Sequence, residues 1–423
     1  IFAFFIFVTG KISQELTDSV KVQIISVILV SITPIYLMLA SFYSMNIIEL
    51  LLINILILYL IKLFKSKNVY YWYIIGIICG LSLMNKHTAI LYIFAFFMGI
   101  LFTKHRILFL TKEFFLSLII AGLICLPNII WQFSNNFISL EFYRNATLFK
   151  NIGTNPFEII IMQAIVTNPI SFIIVIAGLI ISFKNNKYNV YKFLFYSFFI
   201  LFAIMILFGS SRPDRIAAIY PFFIILGWQI INDIKKLKRT IMITLLSVYM
   251  IFTIITFPIT LPVFSPSFIN DYMQSIGFKF KLEKGKEGYV PQLIADRLDW
   301  KQFAQKAIKL YNDLPEHEKS RAAIYVVNYG QAGAIELYSN YSVPVISSFN
   351  NYWMWSKPKL ENVETIIAYG EDKDDFEKAF SVVIDSGVKN QTEFGYQGNR
   401  TFYICRKAKF NLNKIWDNEK NFR

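Results

Sequence analysis

Apolar residues in the first 261 positions form long runs separated by short polar segments. A transmembrane helix needs about 20 apolar residues, and nine runs reach or approach that length, at 22–43, 47–64, 69–84, 88–103, 113–131, 159–183, 191–209, 216–232 and 240–260. The opening stretch, residues 1–8, is too short to span, so we expect the chain to enter partway through a further helix. The pattern predicts a transmembrane domain over residues 1–261, with about nine helices plus a partial first one.

Residues 262–423 are more polar and alternate between strand-like and helix-like segments. Residues 297–312 have helical spacing, and strands are predicted at 322–327, 343–346, 365–368, 381–384 and 401–405. Strands that alternate with helices favour a mixed or parallel sheet. We therefore predict a second, soluble α/β domain over residues 262–423.

The basic excess lies in the apolar part of the chain. Residues 1–261 hold 20 Lys+Arg and 8 Asp+Glu, whereas residues 262–423 hold 22 and 20, so 12 of the 14 net positive charges belong to the first part. Alternate loops divide the 20 basic residues into sets of 15 and five, and the positive-inside rule places the richer set in the cytoplasm. The other loops and residues 262–423 are then extracytoplasmic. A nucleic-acid partner is not expected, because the charge follows the membrane loops.

A few charged residues lie within or next to apolar runs, where a membrane raises the free-energy cost of a charged side chain. Glu49 lies near the outer end of an apolar run, Lys86 lies between two runs, and residues 209–215 bring Arg212, Asp214 and Arg215 next to the membrane. Such groups are often functional. Solvated or interfacial side chains would explain Glu49 and residues 209–215 equally well, and on residue type alone a simple interfacial lysine is the favoured interpretation of Lys86. A lysine such as Lys86 can hold a phosphate as a point charge.

Other residue types give weaker indications. The three cysteines and three histidines lack metal-site or disulfide spacing, so neither a cofactor nor a metal is expected, and a divalent ion has no support in the sequence. Residues 347–355 (SFNNYWMW after Ser347) combine amides with aromatic rings, which suits either a sugar-binding surface or ordinary core packing.

Several short segments match motifs of a known protein family, and they occur in the same order along the chain. Residues 80–88 read GLSLMNKHT, residues 126–132 LPNIIWQ, residues 140–145 LEFYRN and residues 168–169 NP. Residues 295–300, 314–315, 328–335 and 347–355 continue the series in the second half. Together they resemble the bacterial family 39 glycosyltransferases, relatives of the protein O-mannosyltransferases and of the aminoarabinose transferase that modifies lipid A.

The resemblance implies a GT-C fold with its active site on the outer face of the bacterial cytoplasmic membrane. It implies an inverting hexosyl or pentosyl transfer in the cell envelope, from a polyprenyl-phosphate-linked sugar to an unidentified glycan, lipid or protein acceptor. The partners are therefore the lipid-linked donor, that acceptor and the bilayer. The family's catalytic carboxylate lies in a loop that would precede Ile1, so no catalytic residue is named, and whether the chain as it stands is active is open.

The resemblance also implies site residues. The donor phosphate would be bound by Lys86, Arg212 and Arg215. Further substrate-binding candidates are Glu49, His87, Trp131, Gln132, Glu141, Arg144 and Tyr220. The sequence departs from the family at His87, where a tyrosine is usual, and at residues 211–216, which replace a lysine–tyrosine stretch.

Two other classes of function stay open. A transporter or flippase for a lipid or small solute would more often show intramembrane charges and broken helices in repeated halves, which the sequence does not indicate. A non-catalytic membrane scaffold with a glycan-binding outer domain would need no acidic loop before Ile1, whereas the transferase needs one.

Overall fold

The computed structural model describes residues 1–150, 153–209, 212–234, 239–283, 286–395 and 397–422. The chain divides into two compact units. The N-terminal unit comprises Ile1–Asn136 and Ile152–Phe264, and the C-terminal unit comprises Phe137–Asn151 and Ser265–Arg423. Residues 137–151 thus group with the C-terminal residues, although they lie in sequence between two predicted transmembrane helices.

Helices dominate the described chain. The α-helices are α1 Phe2–Leu16, α2 Val20–Ser31, α3 Pro34–Ala40, α4 Met45–Ser66, α5 Tyr71–Asn85, α6 Ala89–Leu101, α7 Lys112–Ser134, α8 Ile138–Asn145, α9 Pro156–Thr167, α10 Pro169–Lys184, α11 Lys192–Leu207, α12 Tyr220–Asp233, α13 Arg239–Thr260, α14 Pro266–Ser275, α15 Gln292–Ala295, α16 Trp300–Asn312, α17 Glu316–Lys319, α18 Tyr329–Tyr338, α19 Asn351–Ser356, α20 Lys373–Ala379 and α21 Leu412–Ile415. Short 3-10 turns cover Lys104–Leu110, Asn186–Tyr191, Pro213–Ile219, Lys357–Leu360 and Trp416–Glu419, and a π turn covers Ala146–Lys150.

The strands are β1 Phe280–Glu283, β2 Lys286–Gly288, β3 Ala322–Val326, β4 Val345–Ile346, β5 Thr365–Tyr369, β6 Phe380–Lys389 and β7 Thr401–Ala408. All seven belong to the C-terminal unit.

The N-terminal unit has the apolar helices of a polytopic membrane protein. Within the described ranges, five helical segments are long and apolar enough to cross a bilayer, and the number reaches eight if each of three bent helix pairs is one span. The polytopic helical membrane class predicted from the sequence is therefore confirmed. The figure of nine helices stays a prediction.

Two of the predicted apolar runs are not single helices. The run at 22–43 bends by 60° between α2 and α3, and the run at 159–183 bends by 109° between α9 and α10. Each new helix starts at a proline, Pro34 or Pro169, because proline lacks an N–H donor and its ring clashes with the preceding turn. At the sharper break Asn168 takes φ +72° and caps α10 by accepting a hydrogen bond from the Ile170 N–H.

Tyr249 of α13 connects both breaks. Its hydroxyl donates to the Leu29 carbonyl at 2.8 Å and lies 2.8 Å from Thr33 Oγ1. Its carbonyl accepts from Asn168 Nδ2 at 3.1 Å. A break frees backbone groups that apolar surroundings would leave unpaired, and at the first break the Tyr249 hydroxyl supplies a partner to one of them, the Leu29 carbonyl. At the second break the contact joins the Asn168 side chain to the backbone of α13.

Helix α12 forms the centre of the N-terminal unit. Its residues from Tyr220 to Ile230 are all buried, as expected for a helix that is apolar all round. It crosses α10 closely, because a Cβ on Gly178 would lie only 3.3 Å from Gly227 Cα. The charged residues described below lie just before this buried helix.

The C-terminal unit is built around a five-stranded sheet of order β4-β3-β5-β7-β6. Strands β4, β3 and β5 are parallel, while β7 runs antiparallel to β5 and β6. Side chains alternate between the two faces of a strand, so Ile324 joins one core cluster and Ala323 the other. Strands occur at all five predicted positions, and the predicted helix at 297–312 begins at Trp300.

The end of the chain holds α8 within the C-terminal unit. Lys420 Nζ lies 2.5 Å from Glu141 Oε2, and Asn145 Nδ2 donates to the Phe422 carbonyl at 2.8 Å. These contacts join residues 279 and 277 positions apart. They explain why residues 137–151 group with the C-terminal unit.

Candidate functional site

A buried ion pair lies at one end of the N-terminal unit. Glu49 is in the second turn of α4, and Lys86 directly follows α5. Lys86 Nζ lies 2.7 Å from Glu49 Oε2, and their side chains are only 11% and 5% exposed. Burying either charge alone would cost several kcal/mol, so each residue is needed to keep the other charged here.

Neighbouring groups fix this pair. Thr88 Oγ1 donates to the second carboxylate oxygen, Glu49 Oε1, at 3.1 Å. Asn85 Nδ2 donates to the Met45 carbonyl at 2.9 Å, which joins the end of α5 to the start of α4. The loop that carries Lys86 is therefore held at both sides of the lysine.

A second ion pair lies just before α12. Arg212 donates to Asp214 through Nε at 3.2 Å and Nη2 at 2.8 Å. Such a two-point contact fixes the guanidinium plane. Asp214 also interacts electrostatically with Lys86, Glu49 and Arg215. The structure thus gathers one cluster of three cations and two carboxylates, which we call the charged cluster (Glu49, Lys86, Arg212, Asp214 and Arg215).

Buried polar side chains hold the 3-10 turn Pro213–Ile219 that carries part of this cluster. Tyr36 Oη donates to the Ala217 carbonyl at 2.9 Å, and Asn54 Nδ2 donates to the Ala218 carbonyl at 3.1 Å. The Ala218 N–H in turn donates to Tyr92 Oη at 3.2 Å. Helices α3, α4 and α6 thus each fix this turn.

The remaining sequence candidates of the N-terminal unit lie in different surroundings. His87 Nε2 lies 3.1 Å from Asn128 Oδ1, linking the Lys86 loop to α7. Near the end of α7, Gln132 is buried and Trp131 is exposed. Tyr220 is fully buried and donates to Gln163 Oε1 at 2.9 Å.

Glu141 and Arg144 belong to the C-terminal unit, on α8. Glu141 is paired with Lys420, and Arg144 is exposed. Neither residue is placed in the charged cluster, and their proposed part in substrate binding stays a prediction.

An apolar cavity of about 350 Å³ lies among α4, α5, α6 and α7. Its walls are lined by Leu56, Leu60, Trp72, Ile75, Gly76, Cys79, Leu83, Ile90, Ile93, Phe96, Phe97, Ile100, Phe109, Phe114, Ser117, Leu118, Ala121, Gly122, Cys125 and Ile129. Three of these residues mark one end of it. Leu83 and Ile90 lie three positions from Lys86 and His87, and Ile129 follows Asn128. That end of the cavity is therefore next to the loop that carries Lys86.

Sequence reasoning gave no role to three residues of this region, Asn54, Thr88 and Tyr92, and named Asp214 only as one of the charges beside the membrane. Asn54 and Tyr92 are ordinary residues inside apolar runs. In the described part of the chain no group of three His, Cys, Asp or Glu could hold a metal ion. The expectation about metals and cofactors stays a prediction.

One family model matches the chain. It is described as dolichyl-phosphate-mannose-protein mannosyltransferase, and it matches residues 4–131. The matched segment contains Glu49, Lys86, Thr88 and every residue that lines the cavity. No curated protein and no solved structure gives a significant match. The family match, together with the apolar helices, indicates a membrane glycosyltransferase.

Proposed function

We propose that the protein moves a sugar from a polyprenyl-phosphate-linked donor to an acceptor outside the cytoplasm. The observation that supports this most strongly is the position of Lys86 beside one end of the apolar cavity. A lipid-linked sugar phosphate needs a cation for its phosphate and an adjoining apolar space for its isoprenoid chain. The Lys86 loop and the cavity offer both in one unit of the structure.

The charged cluster fits the demands of the leaving group. In an inverting displacement the acceptor oxygen forms a bond to the anomeric carbon while the bond from that carbon to the phosphate oxygen breaks. The phosphate gains negative charge, and a general base takes the acceptor proton. Lys86 carries three N–H donors and its bond to Glu49 uses one, so Lys86, with Arg212 and Arg215, can stabilise that charge.

The other residues take supporting parts in this proposal. Glu49 fixes the Lys86 ammonium, and Asp214 fixes the Arg212 guanidinium. His87, Trp131 and Gln132 would contact the donor or acceptor near the same loops. Tyr220 would act indirectly, because its buried hydroxyl is bonded to Gln163.

We place the protein in the cytoplasmic membrane of a bacterium, with the C-terminal unit outside. This placement is supported by the charge asymmetry of the loops, where 15 of 20 basic residues fall on one side. Lys86, Arg212 and Arg215 of the charged cluster belong to the set of loops that holds only five basic residues, so the proposed site would face outward.

One observation favours a second candidate, a transporter or flippase for a lipid. The sequence indicates no broken helices, but the structure has three helix pairs bent by 60°, 111° and 109°. Broken helices and a buried Glu49–Lys86 pair are features that transporters use. The family match favours the transferase, and a covalently modified acceptor would decide between the two.

The test is a transfer assay in membranes that contain the protein. Radiolabelled polyprenyl-phosphate mannose, glucose and aminoarabinose serve as donors, and label in lipid, glycan and protein fractions is counted. We expect transfer from one donor, and loss of at least about 100-fold in Lys86→Ala, as for removal of one donor to a developing anion. Lys187→Ala is the matched control, since Lys187 forms an exposed pair with Asp233. Failure with all three donors, or unchanged transfer by Lys86→Ala, would overturn the proposal.

A further inference from the structure

The uncharged part of the chain continues beyond the last long apolar helix. Helix α13 ends at Thr260, yet residues 240–270 contain no charged residue. At 22 residues α13 alone already has the length that a bilayer requires. The apolar side chains of residues 261–278, which we call the juxtamembrane segment, are therefore not needed to cross the membrane.

Most of the juxtamembrane segment forms a separate helix, α14, with a defined start and end. Ser265 caps it by accepting a hydrogen bond from the Phe268 N–H at 3.2 Å. At the other end Gly277 takes φ +67°, and the Phe278 N–H donates to the Met273 carbonyl at 3.1 Å. This arrangement is a Schellman motif, which ends a helix. Helix α14 is thus a short helix of its own and not a continuation of α13.

Helix α14 is amphipathic, and the protein covers only part of its apolar face. At the helical period of about 3.6 residues the apolar side chains fall on one side: Phe268, Ile269, Tyr272, Met273 and Ile276. Ile269 and Met273 are buried, whereas Phe268 is 46% and Ile276 52% exposed. Between these two, Tyr272 is partly exposed, and its ring stacks on Phe268 with centroids 6.3 Å apart. The stripe Phe268–Tyr272–Ile276 therefore stays at the surface.

Exposed apolar side chains connect this stripe with the surface of α13. Ile254 and Phe257 of α13 are exposed, as expected for side chains of a membrane span that face lipid tails. In the same compact unit Phe264 packs edge to face on Phe257, with ring centroids 6.4 Å apart. Val263 and Phe264 are themselves exposed. The apolar surface of the span thus continues past its end, as far as the residue before the cap of α14.

The connection between the two helices is short. Residues 261–265 separate α13 from α14, and an extended chain covers at most about 3.6 Å per residue, so α14 begins within about 20 Å of the end of α13. Hydrogen bonds from the Leu261 N–H to the Phe257 carbonyl and from the Val263 N–H to the Leu261 carbonyl fold the connection and shorten it. The headgroup layer, about 5–8 Å thick on each side of the hydrocarbon core, is therefore within reach of α14.

We propose that α14 lies in the plane of the membrane interface and inserts the stripe Phe268–Tyr272–Ile276 at the boundary between lipid headgroups and acyl chains. An amphipathic helix in this position buries its apolar face about 5–10 Å deep. Helix α14 contains one charged residue, Asp271, whereas attraction to anionic headgroups would need lysine or arginine. The contact is therefore apolar. This inference does not depend on the proposed sugar transfer, and it holds on either side of the membrane.

Nitroxide accessibility of the full chain in nanodiscs of phosphatidylcholine and phosphatidylglycerol tests the inference. A nitroxide is attached to one of four variants at a time: Phe268→Cys and Ile276→Cys in the stripe, and Asp271→Cys and Gln274→Cys on the polar side as matched controls. Oxygen concentrates in lipid and a nickel chelate in water, so the ratio of their collision rates reports depth. We expect this ratio to be at least about threefold higher at the two stripe positions than at the two controls.

Two results would overturn the proposal. Equal ratios at all four positions would show that the helix does not lie at a boundary between lipid and water. Low collision rates with both reagents at positions 268 and 276 would show that protein, such as a second copy of the chain, covers the stripe. The unmutated chain, labelled in parallel, gives the background from its own cysteines. All four replaced side chains are exposed, so each variant is expected to keep the melting temperature of the unmutated chain.

Discussion

Lys86 Nζ donates a 2.7 Å hydrogen bond to Glu49 Oε2, and this bond joins the end of α5 to the beginning of α4 across 37 positions of sequence. Both side chains are nearly covered, so the pair is retained at a cost in desolvation. A lysine that served only to anchor the protein at the membrane surface would extend toward the headgroups. The ammonium is instead paired with a buried acid, in the loop that lies next to one end of the apolar cavity.

Removing both partners of this pair should cost less free energy of unfolding than the two single removals added together. We expect Glu49→Gln and Lys86→Met each to lower the free energy of unfolding by about 3 kcal/mol, because each leaves one buried charge uncompensated. The double variant should lose less than the sum of the two. Thermal unfolding of the four proteins in detergent measures the difference.

The exposed pair Lys187–Asp233 supplies the control for that cycle. Replacing Lys187 by Met should change stability by about 0.5 kcal/mol or less, as for other surface pairs. Strictly additive losses at Glu49 and Lys86 would show that the two side chains do not stabilise each other.

Tyr249→Phe tests the polar contacts at the helix breaks. The variant keeps the ring and loses the hydroxyl that bonds the Leu29 carbonyl and Thr33. We expect it to lower the free energy of unfolding by about 1–2 kcal/mol, because two buried groups lose a partner. Tyr70→Phe, at an exposed tyrosine, should be neutral. Equal melting temperatures for both variants would mean that the breaks do not depend on Tyr249.

The C-terminal unit should lose stability in acid through Glu318. The hydrogen bond from Arg406 Nε, 2.8 Å from Glu318 Oε2, lowers the pKa of this carboxyl below its ordinary value of 4.5. A carboxyl with a depressed folded pKa adds stability above its unfolded pKa and loses it as the pH falls through the folded pKa. We therefore expect this contribution to be full near pH 7 and to disappear as the pH falls below about 4.5.

Glu318→Gln provides the comparison. The variant should melt at a lower temperature than the unmutated chain near pH 7, and the gap should narrow in acid. A gap that stays constant from neutral to acid pH would rule out this linkage. Melting temperatures followed by circular dichroism at each pH provide the measurement.

The sequence predicts the elements of the fold better than their bends. The run at 216–232 and helix α12 coincide closely, because a long apolar run has few other ways to satisfy its backbone in a membrane. Proline did not signal the breaks reliably: Pro127 and Pro258 lie inside α7 and α13, which continue through them. Asn168 and the distant Tyr249 contribute to the break at Pro169, and their contact across 81 positions cannot be seen in the sequence.

The same holds for the site: charged residues beside apolar runs can be recognised in the sequence, whereas contacts between residues far apart in the chain cannot. Lys86, Arg212 and Arg215 attract attention as charges beside apolar runs, and the structure places all three in the charged cluster. The partner of Glu141 is Lys420, 279 positions away, so its membership of the C-terminal unit could not be predicted from its neighbours in sequence. The apolar cavity also depends on how four helices pack, which periodicity alone does not specify.

Binding of radiolabelled polyprenyl phosphate to the purified chain tests the central claim most directly. Gly122 lines the cavity, and a Cβ there would meet no atom within 4 Å, so Gly122→Leu adds apolar bulk at the proposed chain site from a position that accepts a Cβ. Leu123→Phe, at the exposed neighbouring position on α7, is the matched control. We predict binding about tenfold weaker in Gly122→Leu, weaker still in Lys86→Ala, and unchanged in Leu123→Phe. Binding by Gly122→Leu and Lys86→Ala that equals that of the unmutated chain would contradict the placement of the donor at Lys86 and in this cavity.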